Sequence, residues 1–347
     1  MVTQNELRMF YETDLKPKLL FLEEQRLLLT GKQKTIWIIR NILVVLAILA
    51  IIIPFQLERG YFETIYNEFG ISFLHSFWED IEAFIFYSVI TYMIIFSVAI
   101  SLSYTKKKST YRNSFKTTIV GSLVKFIDKN LNYDPKNDST PKELLFKKEF
   151  YNSDLFRNHA YRFSGEDYVG GIVGGTSLNV SEIHAERREV YDSYDGSTYN
   201  RYYDIFKGLF FVFNVNRDFE GVTTIIVHDD YDEYYLKKYL SFAKKESTFK
   251  VYSDNPTIAK YVFSTAFMER LLALHNQLKA PIELSFVNGK LYIAISIYKD
   301  LFEPPPISST VLDFQLIQAI FEYMNLGKKI VEELIVLMEQ PNQMDLK

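Results

Sequence analysis

Cysteine is missing from all 347 residues, and tryptophan and histidine are scarce, at two and five. Without a thiol there is no disulfide, no thiolate metal site and no cysteine nucleophile, and the chain suits a reducing compartment. A basic excess is missing too. Lys and Arg number 39 against 43 Asp and Glu, a formal charge of −4, which excludes a general nucleic-acid binder. Glycine and proline are modest, at 14 and 10, and with apolar content in the globular range the chain is not disordered as a whole. Apolar and aromatic residues are abundant. They make up 48% of the chain, with 29 Phe and 25 Tyr, enough for a sizeable core.

Charge is also missing locally. Asn41 to Leu57 carries none, and neither does Ala83 to Thr105. At 1.5 Å per residue the second run reaches about 34 Å, which spans a hydrocarbon core of about 30 Å. The first becomes long enough when Thr35 to Arg40 join it, with Arg40 snorkelling to the interface. Two buried core helices are the competing reading, but such runs with charged flanks are rare in soluble domains. The first run starts too far from Met1 for a cleaved signal peptide.

The flanks set an orientation. Lys16, Lys18, Arg26, Lys32 and Lys34 precede the first run, and Lys106, Lys107, Lys108, Arg112 and Lys116 follow the second. The intervening loop holds only Arg59 among basic residues, but Glu58, Glu63, Glu68, Glu79, Asp80 and Glu82 among acids. The positive-inside rule then puts both termini in the cytoplasm of a multi-pass protein of the cytoplasmic membrane, in contact with the lipid bilayer. The expected organisation is a cytosolic amphipathic helical segment at 1–34, a two-helix transmembrane hairpin at 35–105 with an external loop at 58–80, a juxtamembrane helix and linker at 106–141, and a cytosolic domain at 142–340.

Periodicity fills in the elements. Leu7, Phe10, Tyr11 and Leu15 recur at helical spacing, as do Leu19, Leu22 and Leu27 after Pro17, which should break or kink the segment. This helix either packs on the cytosolic domain or lies on the lipid surface. Phe115, Ile119, Leu123, Ile127 and Leu131 form one stripe of a helix leaving the membrane, and "NYDPKNDSTPKE" reads as a linker. "YDIFKGLFFVFNVN" and "GVTTIIV" read as strands, with a turn at Asp218 to Gly221, and Asn288-Gly289 marks a hairpin. Helices are expected over Pro256 to Leu278 and from about Val311 to Met338. Grouped antiparallel strands with flanking helices make an α+β domain with a mainly antiparallel sheet.

Chemistry is thin. "GEDYVGGIVGGTSLNVSEIHAE", residues 165–186, has two glycine pairs and a histidine between acids. No Lys follows Gly174-Gly175, so it is no P-loop, and Gly170, Gly171, Gly174 and Gly175 lack the dinucleotide spacing. The glycines read as a strand, a tight turn and a return strand. Glu182, His184 and Glu186 share one face of that return strand, read as the solvent face, and no Cys completes a deaminase zinc site. No catalytic, cofactor or metal assignment follows. Gly171, Gly174, Glu182, His184 and Glu186 form the candidate pocket of an alternative reading. The tyrosine-rich stretch Glu186 to Asp204 reads as a long exposed hairpin tip or a partner-contacting loop. Asp229 to Tyr235 reads as a solvated helix start, with acids at the positive end of the dipole.

Several segments together resemble the bacterial family called domain of unknown function 3137: "FYETDLKPKLLFLEEQR", "VSEIHAE", "IFKGLFFVFNVNRDFEG", "FKVYSDNPTIAKYVFSTAFMERL" and "SFVNGKLYIAI" followed by "LFEPP". The resemblance covers nearly the whole chain. It implies a two-span membrane protein with a large soluble domain and a LemA-like membrane protein as a partner, and it supplies no activity. The expected function is a protein-interaction or scaffolding module. A membrane-tethered enzyme or ligand sensor, and an accessory subunit of a transport complex, are the alternatives.

Overall fold

The computed structural model describes residues 2–57, 72–136, 140–156, 159–194, 196–215, 221–227, 240–241, 249–254 and 265–332. Outside them lie most of the loop expected at 58–80, the turn at 218–220, the acidic stretch 229–235, the helix start before 265 and the chain beyond 332. The described residues form an α+β protein in two units. The first comprises Met1–Lys16, Phe115–Glu303 and Asp313–Lys347, the second Pro17–Ser114 and Pro304–Leu312.

The second unit is dominated by two long helices, α2 (Lys16–Leu57) and α3 (Ser72–Phe115). Among the described residues one stretch, Phe86–Ile127, is long and apolar enough to cross a membrane. Pro17 does not break the chain. It sits in the first turn of α2, where its missing N–H costs nothing, directly after a π-helical turn at Tyr11–Leu15.

In the first unit, α1 (Gln4–Phe10) starts with a capping box between Thr3 and Glu6. Its apolar stripe is buried through Leu7, Tyr11 and Leu15, so it packs on protein. Phe10 stacks on Phe126, and Tyr11 meets Phe314 edge-on at 5.2 Å. A second π turn, Lys116–Val120, leads into α4 (Gly121–Ile127), whose expected stripe is buried throughout, from Phe115 to Leu131. The expected linker is partly structured. It contains strand β1 (Asn132–Asp134), and α5 (Thr140–Asn152) starts inside it.

The remaining strands are β2 (Arg162–Val173), β3 (Thr176–Asp192), β4 (Thr198–Asn214), β5 (Val222–Val227), β6 (Leu240–Ser241), β7 (Lys250–Ser253), β8 (Ile282–Val287) and β9 (Lys290–Ser296). With β1 they form one antiparallel sheet in the order β1-β2-β3-β4-β9-β8-β5-β7-β6. Helix α6 (Thr265–Leu278) precedes β8, and α7 (Phe314–Ile330) starts at the Asp313 cap, three residues later than expected.

Strand alternation gives the sheet two buried faces. On one, Ile183, Ala185, Phe206, Phe210 and Tyr292 pack with Phe146 and Phe150 of α5. Glu149 of α5 accepts from Tyr292 and Lys290, both at 2.7 Å, which fixes the helix to β9. On the other, Leu178 and Phe211 lie against Gly327 of α7.

Local turn chemistry sets the hairpins. Gly174 and Gly175 have φ of 56° and 85°, and Asn288 and Gly289 have 49° and 72°. Both pairs make two-residue turns whose positive φ matches strand twist. Gly171 has a different reason to be glycine, because a Cβ there would lie 2.4 Å from the carbonyl oxygen of Asn130. Gly171→Ala should therefore destabilise by about 1–3 kcal/mol. An unchanged denaturation midpoint would show that the 130–131 segment yields freely.

Candidate functional site

The sequence-predicted site residues do not form one pocket. Gly171 and Gly174 belong to the β2–β3 hairpin. Glu182, His184 and Glu186 share a strand face as expected, but this is the core face of Leu178 and Val180, not a solvent face. The burial ends within it: Glu182 is 5% exposed, while His184 and Glu186 are part-exposed.

His184 and Glu186 meet Asp204 instead. Across β3 and β4, Ala185 faces Phe206 and Glu186 faces Asp204, so Ile205 is an extra residue. That bulge moves Asp204 to the face of His184. His184 Nε2 lies 2.7 Å from Asp204 Oδ1, and the ligand atoms of His184, Glu186 and Asp204 all fall within 4.8 Å of one another. Imidazole plus two carboxylates is a set that suits a divalent ion. The three also have protein partners without one, since Arg162 approaches Glu186 at 3.7 Å.

Glu182 points toward a cluster that sequence reasoning missed. Between Glu166 and Val169, two residues of β2 oppose Ser181 alone. The bulge sends Tyr168 to the α5 face, against Phe146, and turns Asp167 (φ 56°) to the opposite side. There Asp167 meets Lys116, the first residue of the second π turn. Lys116 Nζ lies 2.6 Å from Asp167, 2.9 Å from Glu166 and 2.6 Å from Glu303, and its side chain is 2% exposed. Tyr133 of β1 donates to the other oxygen of Asp167. Lys116 reads in sequence as one of the membrane-flanking cations, but it is a buried strut of the first unit.

The electrostatics follow from burial. Desolvation pushes the Asp167 carboxyl up to about 6, against the pull of Lys116. Desolvation would lower Lys116, but the three carboxylates outweigh it and hold the ammonium well above its ordinary range. Glu182 has no cation at its side among the described residues. Burial, then the charges of Asp167, Glu166 and Asp300, push it up to about 8, with the Leu301 N–H at 3.4 Å as its donor. The cluster therefore holds a fixed cation and a carboxyl that is neutral at neutral pH.

Beyond the Asp204 bulge, β3 and β4 continue as a two-stranded ribbon as far as the pair Asp192 and Thr198. The stretch expected to be a tip is mostly strand. Its arginines lie over tyrosines: Arg187 over Tyr203 at 4.9 Å and Arg201 over Tyr191 and Tyr199 at 5.3 and 5.4 Å within the ribbon, and Arg188 over Tyr161, just before β2, at 4.1 Å. Tyr194, Val190 and Tyr199 are exposed.

In the second unit, α2 and the strap that follows "LFEPP" come together. Glu23 and Arg26 of α2 form a bidentate pair at 2.7 and 2.9 Å. Arg26, 7% exposed, also donates to the Ile307 carbonyl at 2.5 Å, and Glu23 accepts from the Val311 N–H at 3.1 Å. The Arg26 guanidinium beside Glu23 holds its carboxyl below the usual range. The proline-rich strap Pro304–Leu312 is thereby clasped to α2.

Comparison with known proteins gives a family match over part of the chain and no activity. Residues 204–335 match the family described as "Protein of unknown function (DUF3137)". No curated protein matches the chain. The crystal structure of the mycobacterial trehalose monomycolate transport factor A, TtfA, is similar over 60% of this chain and 93% of that chain, at 10% identity and a TM-score of 0.29.

Proposed function

We propose that this chain, which carries the DUF3137 family region at residues 204–335, is a two-span protein of the cytoplasmic membrane whose cytosolic α+β domain docks a partner protein. The observation that carries the docking role is the β3–β4 ribbon. It projects past the rest of the sheet, and stacked arginines and tyrosines on it present rigid, amphipathic area at low entropic cost. The membrane placement is supported by the uncharged runs 41–57 and 83–105 and by the lysines that flank them. A LemA-like membrane protein is the proposed partner class, from the family resemblance alone.

The cysteine-free chain allows a direct test. Ser72→Cys should react with an impermeant thiol reagent in intact cells, and Ser197→Cys, next to the last ribbon pair, should not. In opened membranes, a photoactivatable crosslinker attached to the Ser197→Cys variant should give one discrete adduct that Arg201→Ala weakens. Labelling at position 197 in intact cells would reverse the topology. Absence of any adduct would refute the docking role.

A further inference from the structure

The second unit contains a cavity of about 530 Å³ lined by Thr30, Gln33, Lys34, Trp37, Ile38 and Ser308. It is a built feature. Ser308 belongs to the clasped strap, and Thr30 both lines the cavity and donates to the Ile307 carbonyl at 3.1 Å. Tyr104 of α3 donates to Gln33 at 3.4 Å and sets the second helix beside this turn.

The lining divides along α2. Thr30, Gln33 and Lys34 supply a hydroxyl, an amide and an ammonium. Trp37 and Ile38, one turn further, are 59% and 50% exposed and apolar. The change falls at residue 35, where the expected transmembrane hairpin starts. The same turn is short of negative charge: Lys32 lies against Lys107 of α3, whose ammonium lowers the Lys32 pKa. A ligand that suits this place has an anionic end and an apolar end. Free phosphate would satisfy the lysine, the Gln33 amide and the Ser308 hydroxyl but leave Trp37 and Ile38 uncovered.

We propose that this cavity seats one anionic phospholipid, with its phosphate at Lys34, the Gln33 amide N–H and Ser308 and its first acyl methylenes along Trp37 and Ile38. The inference rests on the membrane reading above, and it adds a specific lipid site beside the strap.

The full-length Trp78→Phe variant leaves Trp37 as the sole tryptophan. It is reconstituted in phosphatidylcholine nanodiscs doped with phosphatidylglycerol or phosphatidylcholine brominated near the top of the acyl chain. Trp37 quenching should reach half-maximum at about a fivefold lower fraction of the anionic lipid, the contribution of one juxtamembrane lysine. Lys34→Gln should remove most of that preference, while Lys106→Gln, at the same level but outside the cavity, should leave it nearly intact. Equal quenching by the two lipids would overturn the proposal and leave the membrane reading standing. So would equal loss from the two lysine variants, or loss of the preference in excess inorganic phosphate. No quenching by either lipid would overturn both readings.

Discussion

Replacing Lys116 by methionine should destabilise the protein by about 3–5 kcal/mol, the range seen when one partner is removed from a buried ion pair. Methionine keeps the volume, so the loss is electrostatic rather than a cavity effect. Asp167, already pushed up to about 6, would lose its only close cation among the described residues and would share its surroundings with Glu166 and Glu303. Denaturant unfolding of the detergent-solubilised chain measures the loss. Adding Asp167→Asn should recover part of it, because asparagine tolerates the positive φ and removes the stranded charge. If the double variant is no more stable than Lys116→Met alone, the two residues are not coupled and the strut reading fails.

Glu182→Gln should stabilise the protein, and the gain should grow with pH. The folded-state value of Glu182, about 8, lies above its ordinary 4.5. The native state therefore favours the protonated form. The stability from keeping this carboxyl neutral is whole below about pH 4.5 and is lost as the pH rises through 8. That interval corresponds to roughly 4–5 kcal/mol. Glutamine cannot ionise, so it should escape the loss. Its unfolding midpoint should match the parent near pH 5 and exceed it clearly at pH 9. The groups around it act in the same sense, since Glu166, Asp167 and Asp300 are all acidic. A pH-independent difference would mean that Glu182 is hydrated or paired in the folded chain.

Much of the fold was legible because its signals are local. Asn288-Gly289 and Gly174-Gly175 specify turns through their own φ preferences, and the stripe from Phe115 to Ile127 has helical period, while Leu131 is buried past the helix end. Pro17 is legible as a disturbance but not in its form, since a π turn before it lets the helix restart. The site residues were legible only as types. Alternation placed Glu182 and His184 together, yet whether that face is core or solvent depends on what packs over it. The partner of His184 could not be read at all, because the extra residue Ile205 changes the parity of β4, and a bulge has no unique sequence signature.

The sequence by itself determined the uncharged runs, the cationic flanks, the hairpin turns, the α+β pattern and the lack of thiol chemistry, since each depends on residues close in the chain. Only the tertiary structure decided which of the flanking cations are buried, Arg26 and Lys116. Lys116 stands in a row of flanking lysines that look alike in sequence, and it leaves water because Asp167 and Glu303, 51 and 187 positions away, converge on it. The strap follows the same rule, with Ile307 reaching Arg26 across 281 positions. Desolvation of a charge is set by the neighbours around it in space, and a sequence lists neighbours only along the chain.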